Sequence, residues 1–292
     1  MRIGVIVPVH GWAPYLAETL DCVLAEEPDE VVVVDDGSPE PLQLHVDHAP
    51  RCHVVRRPDR GGLPAARRTG FDALGTEWVA LCDADDAWRP GKLAAQRAAV
   101  RDAQADGCFA LAEVVGPDGR PTGEAWPRPD PSLPALYEHN PIAVSGALLR
   151  REAVVRAGGI ARDLPAAEDW DLWLRLLATG AKLTVADDAR VAYRRRAGAM
   201  SGDVTTLALA QLAVHAEHAA LVDEPTRARV EATDLRALAA GLTRDHRYAE
   251  AREALRAAAH REPLRPADRA RLRALTLPGP RALLGRRDPY RP

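Results

Sequence analysis

The sequence predicts an α/β fold with a Rossmann-like, mostly parallel central sheet flanked by helices, followed by a C-terminal helical extension. Apolar runs alternate with helical patterns through the first half of the chain, and two of these runs end in acidic residues. After residue 203 the pattern becomes helical, without plausible strands. Such alternation is typical of parallel sheets, whose ligands bind at the carboxyl ends of the strands. We therefore expect an α/β domain over residues 1–203, a helical extension over 204–277 and a basic tail over 278–292.

The first strand is predicted over residues 3–9, which are mainly β-branched and include Pro8 and Val9 near their end. His10 follows in a short loop, and Pro14 suits the first turn of the next helix. Apolar residues then recur at helical spacing, so this segment is a strand-loop-helix unit.

The second strand, residues 30–34, ends in Asp35 and Asp36 before Gly37. Acids at this place in nucleotide-binding sheets form hydrogen bonds to a base or a ribose. The structural alternative is an Asp-Gly turn in which a carboxylate caps the backbone.

Gly61 and Gly62 form a flexible turn before a helix that carries Arg67 and Arg68. Backbone N–H groups at such a helix start suit an anion, although two glycines alone are a weak signal. The two arginines suit a phosphate, and the alternative is that they are solvated helix charges.

The segment 78–88 (WVALCDADDAW) is an apolar run that ends in acids. If the strand geometry continues through Ala84, the side chains of Asp83 and Asp85 point to the same side and converge on one divalent cation. Such oxygen ligands suit Mg²⁺ or Mn²⁺ that also binds substrate phosphates. A solvated turn is the structural alternative.

Glu168 and Asp169 begin a helix whose apolar residues recur at i, i+3, i+4 and i+7. Their alternative role is to stabilise the helix start, where the dipole favours carboxylates. Two short strands are expected next, over residues 182–185 and 190–193.

Between these features, residues 108–115 are predicted as a strand, and the proline-rich stretch 117–141 as a loop that is not helical throughout. Residues 144–149 are expected to return to the sheet, and a short helix follows over 151–157.

Composition excludes several classes of protein. The formal net charge of −3 gives no general attraction to nucleic acid. The four cysteines lie far apart without metal-ligand spacing, which favours buried free thiols in a reducing compartment. No signal peptide or membrane-spanning run is present in the sequence, so a cytoplasmic protein is expected. Residues 261–292 hold nine arginines against three acids, which predicts either solvated charge or peripheral contact with an anionic membrane that carries a lipid-linked acceptor.

Taken together, five motifs resemble a family 2 glycosyltransferase with a GT-A fold, over roughly residues 2–196. The motifs are VIVPV at 5–9, EVVVVDDGS at 30–38, GGLPAAR at 61–67, LCDADDAW at 81–88 and EDWDLWLR at 168–175. The resemblance implies sugar transfer from a nucleoside-diphosphate sugar, with inversion, to an acceptor that the sequence does not identify. Oligomeric state is not predicted.

The resemblance also implies roles for individual residues. The residues that the resemblance assigns to binding of the donor are Pro8, Val9, His10, Asp35, Asp36, Gly62, Arg67, Asp83, Ala84, Asp85, Arg194 and Arg196. Within this set, Arg67 approaches the diphosphate, and Asp83 and Asp85 hold the metal. Asp169 is implied as the catalytic base, with Glu168 beside it.

This sequence departs from the family pattern in three places. His10 and Gly11 stand where the family usually has an aromatic residue and Asn, and Arg68 stands where Asn commonly follows the arginine. Arg196 stands where a His often supplies a further metal contact, so Arg194 or Arg196 is expected to neutralise the diphosphate instead, and metal dependence is expected to be weak.

Two alternative functions remain open at this point. Nucleotidyl transfer uses a similar sheet but requires a Gly-rich basic loop after the first strand, which residues 10–14 do not form. A degenerate sugar-nucleotide-binding module without turnover is separated from an enzyme by a turnover assay.

Overall fold

The computed structural model describes residues 1–196 and 203–276. The chain divides into two compact units. The first contains Met1–Asp163 and Glu168–Ala197, and the second contains Leu164–Ala167 and Gly198–Pro292. The predicted boundary after residue 203 stays a prediction, and the predicted basic tail over 278–292 lies outside the described residues.

The first unit contains eight strands and six α-helices within the described residues. The strands are β1 (Ile3–Val9), β2 (Glu30–Asp35), β3 (His53–Arg56), β4 (Trp78–Leu81), β5 (Ala87–Trp88), β6 (Gly107–Val115), β7 (Ala147–Arg150) and β8 (Leu183–Arg194). The helices are α1 (Leu16–Ala25), α2 (Gly62–Ala73), α3 (Lys92–Ala103), α4 (Leu133–Glu138), α5 (Arg151–Arg156) and α6 (Glu168–Ala178).

All eight strands form one mixed sheet with the order β3-β2-β1-β4-β7-β6-β8-β5. The four strands β3, β2, β1 and β4 are parallel to one another. Beyond β4, the strand β7 is antiparallel to both β4 and β6, and β6 is parallel to β8. The expected α/β fold is confirmed, and its parallel part carries the acidic strand ends.

The apolar runs form buried strands because helices cover the sheet. All seven residues of β1 and all four of β4 are buried. Helix α2 approaches β1 closely at Gly70, where an added Cβ would lie 2.5 Å from Cγ2 of Ile6. A glycine therefore allows this helix to lie against the strand.

The structure corrects the strands expected at 182–185 and 190–193, which form a single strand, β8. Its pairing with β6 shifts between two neighbouring positions, because Ala110 faces Ala186 whereas Leu111 faces Arg190. The residues between Ala186 and Arg190 form a bulge, with Asp187 and Asp188 exposed. In the sequence, Asp187 and Asp188 suggested a loop between two strands. In the structure, they lie in a bulge that shifts the register of β8 against β6.

Smaller differences occur in the middle of the chain. The predicted strand at 144–149 begins as a 3-10 turn, Val144–Gly146, and only then becomes β7. The proline-rich stretch contains the short helix α4, with a proline in its first turn. The two-residue strand β5 was not predicted, since its pairing with β8 is long-range.

From residue 203 onwards, the described residues of the second unit are mainly helical, as predicted. The helices are α7 (Val204–Glu217), α8 (Glu224–Arg244), α9 (Tyr248–Arg261) and α10 (Pro266–Ala274), with a 3-10 turn at Ala219–Leu221. Asp203 and Asp223 cap the first two helices by accepting hydrogen bonds from Thr206 and Thr226 N–H groups. Among the described helices of both units, none is long and apolar enough to span a membrane.

Candidate functional site

The candidate site lies at the carboxyl edge of the parallel strands. Val9 at the end of β1 pairs with Asp35 at the end of β2, and Ile6 pairs with Leu81 at the end of β4. The acids at the end of β2 and those after β4 therefore lie at the same edge of the sheet.

Asp35 is fully buried and holds the loop after β2. Its carboxylate accepts hydrogen bonds from the N–H groups of Ser38, at 2.9 Å, and Leu42, at 3.1 Å, and pairs with Arg56 at 2.7 Å. Burial alone would raise the pKa of Asp35, but these hydrogen bonds and the arginine outweigh it and lower the pKa. Asp35 is thus an ionised side chain that shapes the loop.

Asp36 binds the start of helix α2. Its two carboxylate oxygens accept hydrogen bonds from the N–H groups of Gly61, at 3.0 Å, and Gly62, at 2.7 Å. Arg57 Nε lies 2.8 Å from the same carboxylate. The anion expected at this glycine turn is therefore, in this structure, the protein's own Asp36.

His10 joins the loops after β1 and β2, because its Nδ1 donates to the main-chain oxygen of Asp36 at 2.9 Å. Gly11 N–H donates to Oγ of Ser38 at 2.8 Å. The ends of these two strands are thus connected by side-chain contacts next to Pro8 and Val9.

Arg67 connects the acids after β4 with those of helix α6. Its Nη2 lies 2.9 Å from Oδ1 of Asp83, and its Nη1 donates to Oε1 of Glu168. Burial alone would lower the pKa of Arg67, but the carboxylates of Asp83, Glu168 and Asp169 outweigh burial and raise it. Arg67 is a permanent cation between three acids.

The strand geometry does not continue through Ala84, and the chain forms the turn that was the structural alternative. Strand β4 ends at Leu81, and the N–H of Asp86 donates to the main-chain oxygen of Asp83 at 3.1 Å. Residues 83–86 therefore form a turn, here called the acidic turn. The turn leaves Asp83 and Asp85 partly exposed at the edge of the sheet, without the alternation of a strand.

The two partly exposed carboxylates of the acidic turn, Asp83 and Asp85, each pair with one arginine. Asp83 pairs with Arg67, and Oδ2 of Asp85 lies 2.6 Å from Nε of Arg196. Among the described residues, nothing donates a hydrogen bond to Oδ2 of Asp83 or Oδ1 of Asp85. As far as residues 1–196 and 203–276 are concerned, these two oxygens can accept a ligand.

The donor set fits a divalent cation that also binds a substrate. Within residues 1–196 and 203–276, no group of three or more His, Cys, Asp and Glu side chains is placed to hold a metal ion. Two carboxylates with free oxygens match Mg²⁺ or Mn²⁺ when phosphate oxygens and water complete the coordination. The fit is to a shared site, not to a metal held by the protein alone.

Arg194 and Arg196 have different surroundings. Arg194 is buried, donates to the main-chain oxygens of Asp85 at 2.8 Å and Pro117 at 3.2 Å, and pairs with Glu18 at 2.7 Å. The side chain of Arg196 is 46% exposed. Arg194 thus fixes the backbone, whereas Arg196 faces solvent beside Asp85.

Glu168 and Asp169 occupy the first turn of α6 but differ in their partners. Glu168 is buried against Arg67, whereas Asp169 is partly buried and forms no ion pair with the described residues. Oδ1 of Asp169 accepts a hydrogen bond from its neighbour's N–H, at 2.8 Å, and Nδ2 of Asn140 lies 3.4 Å from Oδ2. Burial and the charge of Glu168 raise the pKa of Asp169 to about 6, although Arg67 opposes the rise.

Sequence reasoning missed three polar residues next to these side chains. Asp86 is the buried last residue of the acidic turn, where burial and the charge of Asp83 raise its pKa to about 8. Ser145 contacts Asp86, and Asn140 approaches Asp169. Asp86 was visible as a third acid in LCDADDAW, but Ser145 and Asn140 lie more than fifty positions from the acidic turn and carried no signal.

Comparison with known proteins gives relatives among glycosyltransferases. The succinoglycan biosynthesis protein ExoO of Rhizobium meliloti is 28% identical over 225 residues, which cover 67% of this chain and 61% of that protein. The chain spans between 31% and 61% of the length of the curated relatives that it matches.

Two solved structures share the fold. Residues 1–349 of Staphylococcus aureus TarS, in complex with UDP-GlcNAc, match with a TM-score of 0.61 and 17% identity over 94% of this chain and 90% of that one. The mannosyltransferase PcManGT from Pyrobaculum calidifontis, in complex with GDP-Man and Mn²⁺, matches with a TM-score of 0.60 and 19% identity over 93% and 78%. At these identities, the likeness establishes the fold, which is of the GT-A type.

Residues 4–156, just over half of the chain, match the profile described as glycosyl transferase family 2. The match includes the loops after β1, β2 and β4 and ends before Glu168 and Asp169. The protein belongs to glycosyltransferase family 2.

Proposed function

We propose that this glycosyltransferase moves a sugar from a nucleoside-diphosphate sugar to an acceptor hydroxyl or amine, with inversion at the anomeric carbon. The observation that carries the proposal is the arrangement around Arg67. This buried arginine joins Asp83 of the acidic turn to Glu168, which precedes Asp169. The proposed diphosphate site at Asp83 and the carboxylate of Asp169 thus belong to one network of charges.

Asp169 is the proposed base. Its pKa of about 6 leaves it ionised at neutral pH, yet closer to the operating pH than an ordinary aspartate. It takes the proton of the acceptor as the acceptor oxygen or nitrogen forms its bond to the anomeric carbon. The bond from that carbon to the diphosphate oxygen breaks on the opposite face, and the nucleoside diphosphate leaves with the bonding electrons.

The leaving diphosphate requires positive charge, and Arg196 is the proposed protein source. It lies beside Asp85 with its side chain half exposed, so it can turn towards a phosphate without leaving the site. Asp83 and Asp85 would hold a divalent cation, Mg²⁺ or Mn²⁺, which neutralises negative charge that develops on the diphosphate. Since Arg196 supplies part of that charge, we expect the metal requirement to be partial.

The loops after β1 and β2 are the proposed nucleotide pocket. His10 and Asp36 connect these loops, and Asp36 also fixes the start of α2 through Gly62. The pocket wall is therefore built before the nucleotide binds, which reduces the entropy that binding costs. Contacts of Pro8, Val9 and Asp35 with a base remain part of the proposal.

The first experiment is a thermal-stability screen of uridine, guanosine and thymidine diphosphate sugars, with Mn²⁺ and with EDTA. A ligand at 100 times its dissociation constant adds about 2.7 kcal/mol to the stability of the folded protein. We expect a shift with one nucleotide class, smaller in EDTA. No shift with any of these donors would contradict the proposed function.

The second experiment measures turnover of the donor that binds. Release of the nucleoside diphosphate, with the β-configured product from an α-configured donor, would support inverting transfer. Binding without release of the diphosphate in any acceptor screen would instead support a sugar-nucleotide-binding module, and release of pyrophosphate from a nucleoside triphosphate would support nucleotidyl transfer.

A further inference from the structure

Asp86 has a buried carboxyl group with no counter-ion beside it in the part of the chain that the structure describes. Its residue exposure is 2%, and its carboxylate forms no ion pair within the described parts of the chain. Burial of a carboxyl group is costly unless hydrogen bonds satisfy it. Burial of an apolar residue at this position would cost less free energy, so the polar contacts of Asp86 need an explanation.

Those contacts join four elements of the first unit. Oδ1 of Asp86 accepts from the N–H of Arg194, at 2.9 Å, and Oδ2 accepts from Oγ of Ser145, at 2.5 Å. The main-chain oxygen of Asp86 accepts from Oγ1 of Thr19, at 2.7 Å. The end of β8, the turn before β7 and helix α1 are thereby connected to the acidic turn.

Ser145 completes the connection from the other side. Its Oγ accepts a hydrogen bond from the N–H of Asp83 at 2.9 Å while it donates to Asp86. Its main-chain oxygen accepts from Nε1 of Trp88, also at 2.9 Å. The side chain of Ser145 therefore bonds both ends of the acidic turn and is itself fully buried.

We propose that Asp86 and Ser145 are positioning residues of the donor site, which hold Asp83, Asp85 and Arg196 in one orientation towards the diphosphate. The inference rests on the proposed function, because it assigns the two residues to the donor site proposed above. Asp86 binds the backbone of Arg194, two residues before Arg196, and Ser145 binds the backbone of Asp83. The pair thus sets the separation between the partly exposed carboxylates of Asp83 and Asp85 and the guanidinium of Arg196.

The geometry distinguishes this role from ordinary core packing. Neither residue belongs to the apolar core. The hydrogen bonds that their side chains form join them to each other, to the N–H of Asp83 and to the N–H of Arg194. Residues that orient metal and phosphate ligands in this indirect way typically change affinity or activity about 10- to 100-fold when they are removed.

The test uses the full chain with Mn²⁺ and, as probes, UDP and GDP. Ser145→Ala removes one oxygen atom and should weaken binding of the nucleotide that the wild type prefers by about 10- to 100-fold, measured by titration calorimetry. Thr76→Val is the matched control, because Thr76 is equally buried but donates to Trp78 at the opposite end of β4. The control should lose stability without loss of affinity.

Asp86 is tested by a pair of variants. Asp86→Asn retains an acceptor for the Arg194 N–H and gains a donor towards Ser145, whereas Asp86→Leu retains only the volume. We expect Asn to restore most of the affinity that Leu removes. If the Leu variant does not fold, Ser145→Ala decides alone. Equal affinity of Ser145→Ala and the wild type would overturn the proposal.

A ligand-free measurement separates the two hypotheses. In Ser145→Ala, amide hydrogen exchange should become faster in residues 82–86 and 193–196 and stay unchanged around Thr76. If wild-type protein binds neither UDP nor GDP, the exchange result alone decides about the positioning residues. The proposed function is judged separately by the donor screen, which also contains thymidine diphosphate sugars. Unchanged exchange in both segments would overturn their assignment.

Discussion

Asp169 differs from Asp83, Asp85 and Glu168 because it lacks a direct arginine partner among the described residues, whereas each of those three acids has one. A paired carboxylate is a weak proton acceptor, since the cation stabilises its ionised form. Asp169 alone combines partial burial, proximity to another carboxylate and a raised pKa. The residue that the resemblance implied as base is therefore also the one that the electrostatics favour.

The first prediction concerns the replacement Asp169→Asn. Asparagine cannot accept the proton, so turnover should fall about 10²- to 10⁴-fold while donor binding is retained. Asp163→Asn is the control, because Asp163 is exposed and pairs with Arg68 outside the proposed site. Turnover within a few per cent of wild type in Asp169→Asn would remove this residue from the role of base.

The second prediction concerns pH. A base acts only in its deprotonated form, and the pKa of Asp169 is raised from 3.8 to about 6. The value of kcat/KM should therefore rise with pH through a midpoint near 6 on the acidic side, and circular dichroism over the same range should show that the fold persists. An acidic limb centred near pH 4 would show that an unperturbed carboxylate controls the rate instead.

The third prediction concerns stability. Arg67→Met removes the cation between Asp83 and Glu168 and leaves a buried carboxylate at Glu168 without its partner. Breaking a buried pair in this way costs about 3 to 5 kcal/mol. We expect the free energy of urea unfolding at neutral pH to fall by that amount, and Glu168→Gln in the Arg67→Met background should recover part of it. If the double variant is no more stable than the single one, Arg67 does not balance Glu168.

The positions of Asp83 and Asp85 were predictable because an apolar run that ends in acids is a local signal. Their partners were not. Arg67, the partner of Asp83, also binds Glu168, which lies 101 residues away in the sequence. Arg196, the partner of Asp85, lies 111 residues away from it, so no pattern of spacing connects these residues. The sequence also did not indicate that Asp36, and not a ligand, binds the N–H groups of Gly61 and Gly62. This contact depends on the distance between two loops.

At the level of elements, the position of Arg67 depends on how closely helix α2 packs against the sheet. Gly70, which has no side chain, allows this close packing. An added Cβ at Gly70 would lie 2.5 Å from Cγ2 of Ile6, a buried and stiff β-branched residue of β1. Helix and strand can separate only if Arg67 moves with the helix. Packing of one element thus influences the ion pair between Arg67 and Asp83.

The fourth prediction is that Gly70→Ala is destabilising despite the higher helix propensity of alanine. Overpacking of a filled core typically costs about 1 to 3 kcal/mol, more than the gain of roughly 1 kcal/mol from replacing a helical glycine. At the control position Gly75, an added Cβ would meet nothing closer than Glu30, at 3.5 Å. Urea unfolding should therefore show a loss for Gly70→Ala that Gly75→Ala does not share, and a gain in stability at Gly70 would contradict the close packing.

Element boundaries illustrate where local reasoning fails. Strands β1, β2 and β4 were recognisable because both faces of each are covered, which makes them continuous apolar runs. Strand β8 was divided in two because Asp187 and Asp188 resemble a turn, although pairing with β6 continues on both sides of them. A bulge is set by the neighbouring strand and leaves no signal in the bulged strand's own periodicity.

For the whole molecule, the sheet explains how a family resemblance and a local pattern lead to the same site. The parallel strands β3, β2, β1 and β4 place their ends at one edge, and the antiparallel strand β7 then leads to β6 and β8, whose end returns Arg194 and Arg196 to the acidic turn. Strand alternation predicted the parallel half. The reversal at β7 was not predictable, since β7 follows a long proline-rich stretch and pairs with strands far away in sequence.

The last prediction uses that distribution over the whole chain. All candidate residues of the site belong to the first unit, in segments that lie far apart in sequence. Binding of UDP or GDP with Mn²⁺ should therefore slow amide hydrogen exchange in several separate segments, namely 8–11, 35–37, 61–68, 82–86, 168–170 and 194–196. A ligand that contacts only the first unit should leave exchange in helices α7 to α10 unchanged, since local protection requires a change in local opening. Protection confined to one or two of the six segments would contradict the assembled site, and equal protection in 204–276 would show that the helical extension takes part in donor binding.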